Sequence, residues 1–210
     1  MYHNIIFDFD GTLVDTFSLI VVLYERLQGS FDLPDLTEED WQTLRTKSMK
    51  QIIKEYHFPW YKIPFFVKKA QQELHTMIDQ LKFNPGMQEL VQTLHQQDFS
   101  FGIVTSNSEE NVKQFLAQYP EMDEIFNFIY ASKSLFGKDK TLKKVMKKFN
   151  LNPQQTMYIG DEVKDVKVCQ KIGLPIIAVD WGMNDKQSLK DAGADFVVSQ
   201  AEDIFKLVCN

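Results

Sequence analysis

The residues best suited to chemistry stand near the N-terminus, in the run Ile5-Ile6-Phe7-Asp8-Phe9-Asp10-Gly11-Thr12. An apolar stretch there ends in two carboxylates, two residues apart. Side chains alternate along a strand, so Asp8 and Asp10 would point the same way if the strand ran through them. Like charges held together repel, and burial enlarges that cost. A bound metal, a reaction that needs two carboxylates, or a plain surface turn would each account for the pair. Three more polar groups follow apolar runs: Thr105-Ser106-Asn107, the Lys138/Lys140 region, and Gly160-Asp161-Glu162 with Asp165. Singly, each reads as a turn or a helix cap. Four such groups on one edge of a sheet would make a site.

The elements that must position them can be read from the apolar pattern. Residues 4–9, 99–107, 126–132, 155–161, 174–181 and 194–200 are short apolar runs with the length of buried strands. Helical spacing lies between them. Met87, Leu90, Val91 and Leu94 share a face over 86–97, Val112, Phe115 and Leu116 over 109–118, and Leu142, Val145, Met146 and Phe149 over 139–149. A helix over 163–172 should stop at Gly173. Strand followed by helix, repeated, predicts an α/β fold with a doubly wound parallel sheet. Ligands of such sheets gather beyond the strands' C-terminal ends. Residues 15–82 show no strand pattern. Leu19, Ile20, Val22, Leu23 and Leu27 fit one helix, and 40–56 and 65–81 fit two more. The expected organisation is a core of residues 1–14 and 83–210 with an inserted all-helical cap domain, 15–82.

Composition narrows the function classes. A net charge of −6 argues against broad nucleic-acid binding. No apolar run approaches the about 20 residues of a membrane helix, and no secretory leader pattern opens the chain, so a cytoplasmic protein is expected. Cys169 and Cys209, the only two cysteines, have no metal-ligand spacing. His3, His57, His75 and His95 form no ligand pattern and are expected to be structural. The lysines at 143, 144, 147 and 148 read as a solvated helix face. The aromatic stretch 56–66 would pack inside the cap or wall a pocket, and Trp181-Gly182 would border the site or pack at a strand end.

Asp8-Phe9-Asp10-Gly11-Thr12-Leu13 resembles the first motif of the haloacid dehalogenase-like hydrolase superfamily. Thr105 resembles its second motif and Lys138 or Lys140 its third, in Phe136-Gly137-Lys138-Asp139-Lys140. Gly160-Asp161-Glu162-Val163-Lys164-Asp165 matches the fourth, GDxxxD. Asp15-Thr16 and a helical insert between the first two motifs resemble the phosphoglycolate-phosphatase-like branch, whose insert is a C1 cap. The resemblance implies a Mg²⁺-dependent phosphatase acting on a small phosphorylated metabolite, as a monomer or homodimer.

It also implies roles. Asp8 would be the nucleophile and would carry an aspartyl-phosphate. Asp10 would act as acid and then base. Asp8, Asp10 through its carbonyl, and Asp161 would hold Mg²⁺, with Asp165 and Glu162 behind them. Thr105 and a lysine would meet the phosphoryl group; Lys138 is expected rather than Lys140, because it follows Gly137 and is in line with the stripe of Leu142, Val145, Met146 and Phe149, whereas Lys140 stands about 200° around the axis from Leu142. Gly11 and Thr12, Ser106 and Asn107 would line its pocket, although Asn107 and Ser108 could instead cap the next helix. Arg45 and Lys47, in the cap, would contact the leaving group. The second carboxylate favours phosphoryl transfer over dehalogenation, because a departing halide needs no proton. A sugar phosphomutase of the β-phosphoglucomutase type and a non-catalytic binding protein are the alternatives. A dinucleotide-dependent dehydrogenase is disfavoured, because no GxGxxG follows the first strand.

Overall fold

A computed structural model of the chain describes residues 2–47, 49–55, 59–132 and 137–209. Six apolar runs form one sheet: β1 (Asn4–Phe7), β2 (Ser100–Thr105), β3 (Phe126–Ala131), β4 (Thr156–Gly160), β5 (Ile176–Val179) and β6 (Phe196–Val198). Every pairing is parallel, in the order β3-β2-β1-β4-β5-β6. Between β1 and β2 lie α1 (Phe17–Phe31), α2 (Glu38–Arg45), α3 (Met49–Glu55), α4 (Ile63–His75) and α5 (Met87–His95). α6 (Glu109–Leu116) and α7 (Pro120–Asp123) follow β2, and α8 (Lys138–Lys148) follows β3. α9 (Val163–Ile172), α10 (Lys186–Asp191) and α11 (Ala201–Cys209) follow β4, β5 and β6.

The alternation of β1 shows why the sheet is covered on both faces. Ile5 and Phe7 join Ile103, Ile159 and Ile177 against the apolar sides of α5, α6 and α11. Ile6 points the other way, joining Val104, Tyr158 and Ile176 against Leu142 of α8, Val166 and Cys169 of α9, and Leu189 of α10. A parallel strand buried on both faces must be apolar at every position, as IIF is.

The register then sets the site. Phe7 lies between Ile103 and Ile159, so Asp8 to Asp10, Thr105 and Asp161 all emerge at one sheet edge. β1 and β4 are also where the strand order reverses, the crevice in which ligands of such sheets collect.

The insert leaves and re-enters the core side by side. The Asp15 amide donates to Lys82 O (3.0 Å), Asn84 N to Leu13 O (2.8 Å), and Val14 pairs with Phe83 in an antiparallel bridge. α1 has two apolar sides. Leu19, Val22 and Leu23 pack on the main core. Phe17, Ile20 and Tyr24 pack with Trp41, Leu44 and Phe66 in a separate aromatic cluster.

Several boundaries differ from the sequence expectation. The helix expected over 40–56 is two, α2 and α3, because the amides of Thr46 and Lys47 bond back three residues and tighten the turn. Tyr56 lies outside the described residues. The helix expected over 65–81 ends at His75. There Thr76 turns both its amide and its hydroxyl to Glu73 O, and a 3₁₀ turn follows at Ile78–Gln80. α8 begins at Lys138, so Lys138 and Lys140 both lie in its first turn rather than before it. α7, α10 and α11 have no counterpart in the sequence expectation. Among the described residues no helix is long and apolar enough to cross a membrane.

Candidate active site

Asp8 is the first residue past β1 and extends its ladder, its amide donating to Ile159 O (2.8 Å). Its carboxylate is buried, with one oxygen accepting from the Phe9 amide (2.8 Å) and the other from Lys138 Nζ (2.5 Å). Lys138 is 2 % exposed and bridges Asp8 to Asp165, whose Oδ1 lies 2.6 Å from its Nζ. The amphipathic stripe of α8 explains this inward direction. Leu142 and Val145, one and two turns on, are fully buried, so the helix offers the same side to the sheet at its first residue. Lys140, two residues along, is exposed.

Asp161 follows β4 and is enclosed. Thr12 Oγ1 donates to its Oδ1 (2.9 Å) and the Met183 amide to its Oδ2 (2.7 Å). Two glycines allow this approach. A methyl group added at Gly11 or Gly182 would overlap the Asp161 carboxylate, and Gly11 also has φ +70°, a conformation that side chains disfavour. Asp10 is half-buried. Asn107 Nδ2 donates to its Oδ1 (3.1 Å), and Thr105 Oγ1 lies 3.5 Å from its Oδ2. A cleft opens above, lined by Asp10, Gly11, Asp161, Glu162 and Met183, and by Thr16, Phe17 and Ile20 where the insert begins.

Residues 5–179 match the family model described as haloacid dehalogenase-like hydrolase. The chain belongs to that family. It is 31% identical over 205 residues to a phosphoglycolate phosphatase of Synechococcus elongatus, covering 97% of this chain and 96% of that protein. It is 22% identical over 210 residues to the pyrophosphatase PpaX of Bacillus mycoides, covering 98% and 96%. Among solved structures, a haloacid dehalogenase-like family protein of Streptococcus pneumoniae aligns with a TM-score of 0.82 at 19% identity, over 98% of both chains, a likeness of fold.

The electrostatics of this hydrolase site suit a divalent cation. Asp8, Asp161 and Asp165 can each offer an oxygen within 4.8 Å of the others. Three buried carboxylates against the single ammonium of Lys138 leave two formal negative charges, and hard oxygen donors are what Mg²⁺ and Ca²⁺ take. Without a cation Asp8, Asp10 and Asp161 resist ionisation. Burial pushes Asp8 up to about 7, although Lys138 opposes it. Burial also pushes Asp10 up to about 6, against the lowering effect of the Asn107 hydrogen bond. Asp161 is raised well above the carboxylate range by burial and then by Glu162, Asp8 and Asp165. Burial would lower Lys138, but Asp165 and Asp8 outweigh it and hold the ammonium charged.

The structure thus gathers Asp8, Asp10, Gly11, Thr12, Thr105, Asn107, Lys138, Asp161 and Asp165 at one edge. Ser106 follows β2 there and is half-buried. Ser108, not Asn107, caps α6, accepting from the Asn111 amide (3.1 Å). Glu162 lines the cleft and ion-pairs with Lys164 (2.5 Å). Arg45 and Lys47 make contacts away from Asp8 and Asp161. Arg45 Nη2 donates to Asp180 O (2.9 Å) and its guanidinium lies over the Phe17 ring, while Lys47 pairs with Glu55 (2.5 Å). Of the aromatic stretch, residues 56–58 lie outside the described residues. Trp60, Tyr61 and Phe65 are exposed and Phe66 packs in the aromatic cluster with Tyr24 and Trp41, so the stretch does not pack as one unit.

Trp181 and Gly182 do border the site. Trp181 Nε1 donates to Thr12 O (3.2 Å). The sequence reading missed Asn84 and Asn184. Asn84 Nδ2 also donates to Thr12 O (2.9 Å). Asn184 accepts from the Val163 amide (2.9 Å) and donates to Arg45 O (2.9 Å). Single asparagines in loops carry no periodic signal. Only their position after strands or beside turns hinted at a role.

Proposed function

We propose that the chain is a Mg²⁺-dependent phosphatase that hydrolyses a small phosphomonoester through an aspartyl-phosphate. The observation that carries this is the buried Asp8 carboxylate, held by Lys138 at 2.5 Å, with a second carboxylate two residues on and Asp161 beside it. The Synechococcus relative, named a phosphoglycolate phosphatase, supports phosphoglycolate as the first substrate to try.

Asp8 Oδ attacks phosphorus, in line with the leaving oxygen. Lys138 and the Thr105 hydroxyl hold the non-bridging oxygens as charge develops on them. Asp10, in its carboxylic acid form, gives its proton to the departing alkoxide. As carboxylate it then takes a proton from water, whose oxygen attacks phosphorus of the aspartyl-phosphate, releasing inorganic phosphate and restoring Asp8. Asp8, Asp161 and the Asp10 carbonyl would hold Mg²⁺, which neutralises the carboxylate cluster and polarises the phosphoryl group. Asp165 keeps Lys138 in place. Residues 15–82 would serve as the cap and select the substrate, with Arg45 and Lys47 available to it once their present contacts are exchanged.

The test is p-nitrophenyl phosphate hydrolysis with Mg²⁺, with EDTA and with Mg²⁺ restored, followed by a screen that includes phosphoglycolate, sugar phosphates, nucleotides and pyrophosphate. Turnover that appears only with the cation is expected. Absence of any phosphate release across the screen would remove the proposal.

A further inference from the structure

His75 lies at the end of α4, in the insert, far in sequence from the strand ends. Yet an unbroken run of hydrogen bonds joins it to Asp10. Its Nδ1 lies 2.8 Å from Asn111 Oδ1, Asn111 Nδ2 donates to Asn107 Oδ1 (2.9 Å), and Asn107 Nδ2 donates to Asp10 Oδ1 (3.1 Å). The two asparagines are 2 % and 5 % exposed, which shields most of this run from bulk water, and His75 at its outer end is half-buried.

Donor–acceptor matching leaves one orientation for each group. The Ser108 amide donates to Asn107 Oδ1 at 2.8 Å, and a backbone N–H cannot be reversed. That oxygen is therefore the end facing Asn111, and the amino end faces Asp10. Asn111 spends its own amino group on Asn107, so its oxygen faces His75, whose Nδ1 must carry the proton. Each amide is thus held the right way round by the next, and His75 closes the series from the insert. The 3₁₀ turn after α4 is joined to the turn that follows α6 by a further bond, Gln118 Nε2 to Ile78 O (3.2 Å).

We propose that His75 is a positioning residue for Asp10. Its Nδ1–H locks Asn111, Asn111 locks Asn107, and Asn107 holds the Asp10 carboxyl where it must meet the leaving oxygen. Without that donor the Asn111 carboxamide is free to turn, and a buried network with one unsatisfied member loses its single arrangement. The consequence is specific in kcat/KM, because up to departure of the leaving group the Asp10 carboxyl serves only to deliver that proton, its role as base coming later. The inference rests on Asp10 being the general acid.

The experiment compares kcat/KM, which reports the steps up to departure of the leaving group, for 2-glycerophosphate and p-nitrophenyl phosphate. Asp10→Asn is measured first. It should lose far more on the alkyl than on the aryl ester, since nitrophenolate scarcely needs a proton. Equal losses there overturn the acid assignment itself.

Given the expected Asp10→Asn result, His75→Phe, which keeps a ring and removes the donor, should lose roughly tenfold on the alkyl ester and much less on the aryl one, the scale at which a misplaced group slows a reaction. His75→Gln, which retains an N–H donor, should recover part of the loss. In an Asn107→Ala background His75→Phe should cost nothing further on the alkyl ester. Equal losses of His75→Phe on both esters, no loss on either, or full additivity with Asn107→Ala would each overturn the positioning role. Thermal melting of every variant separates lost fold from lost geometry.

Discussion

Lys138 donates to Asp8 and to Asp165 from a fully buried stem, whereas Lys140 faces solvent. Methionine keeps the bulk of either side chain and removes its charge. Lys138→Met leaves two carboxylates uncompensated, a defect worth about 3–5 kcal/mol when a buried pair is broken. We expect a lower melting temperature, softened by Mg²⁺ and by acid, and turnover reduced by orders of magnitude, because no ammonium meets the phosphoryl charge. Lys140→Met should be near normal in both measurements. The reverse result would transfer the role to Lys140 and contradict the geometry. Cys169 illustrates the opposite case, a thiol that burial holds protonated within the apolar cluster of Val166 and Tyr158.

At the scale of elements, the loop after β5 does more than connect β5 to α10. Trp181, Gly182, Met183 and Asn184 contact in turn the Thr12 carbonyl, the Asp161 side chain, its Oδ2 again, and the start of α9. Asn184 and Asp185 also bond the Arg45 carbonyl, so the same loop ties α2 of the insert to the carboxylate cluster. Gly182 permits this because it lacks a Cβ where Asp161 must pass. We expect Gly182→Ala to fold, since α10 and β5 are untouched, but to weaken cation affinity by roughly 10- to 100-fold, as displaced supports of a metal ligand commonly do. Titration calorimetry with Mg²⁺ measures this directly. An unchanged affinity would mean that Asp161 tolerates displacement.

At the scale of the molecule, the buried carboxylates couple cation, proton and stability. In the cation-free protein Asp8 stands at about 7 against an ordinary 3.8, and Asp161 is raised as well. The folded state therefore holds these protons more tightly than the unfolded chain does. The contribution of Asp8 to stability is complete below the ordinary carboxylate value and is lost as pH rises through about 7, and that of Asp161 has the same sign. A cation requires the ionised forms, so it replaces the protons. With EDTA, melting temperature should rise as pH falls from about 8 to about 6, where at most about 1.4 kcal/mol per pH unit is available from one group. The gain on adding Mg²⁺ should be larger at the higher pH. A Mg²⁺ increment independent of pH would show that the carboxylates are already ionised without it.

The sequence alone determined the sheet, because a strand buried on both faces must be apolar throughout, and runs such as IIF and IIAV meet no other environment so well. It determined the face of α8 through its 3.6-residue stripe, and hence which lysine turns inward. It also marked Asp8, Asp10 and Asp161, because carboxylates directly after buried strands are costly enough to stand out. The same kind of signal marks α10 and α11, where Asp185 caps by accepting from the Ser188 amide and Ala201, Ile204 and Val208 recur at helical spacing. Tertiary structure decided what no local pattern encodes. The strand order brought residues 8, 105, 138 and 161 to one edge. The turn at 46–47 split a helix and placed the Arg45 carbonyl against Asn184. The network from His75 to Asp10 depends on residues 75, 107 and 111, whose side chains acquire direction only when α4 meets α6. Hydrophobic periodicity is a property of neighbours in sequence, whereas a hydrogen-bond partner is a property of neighbours in space.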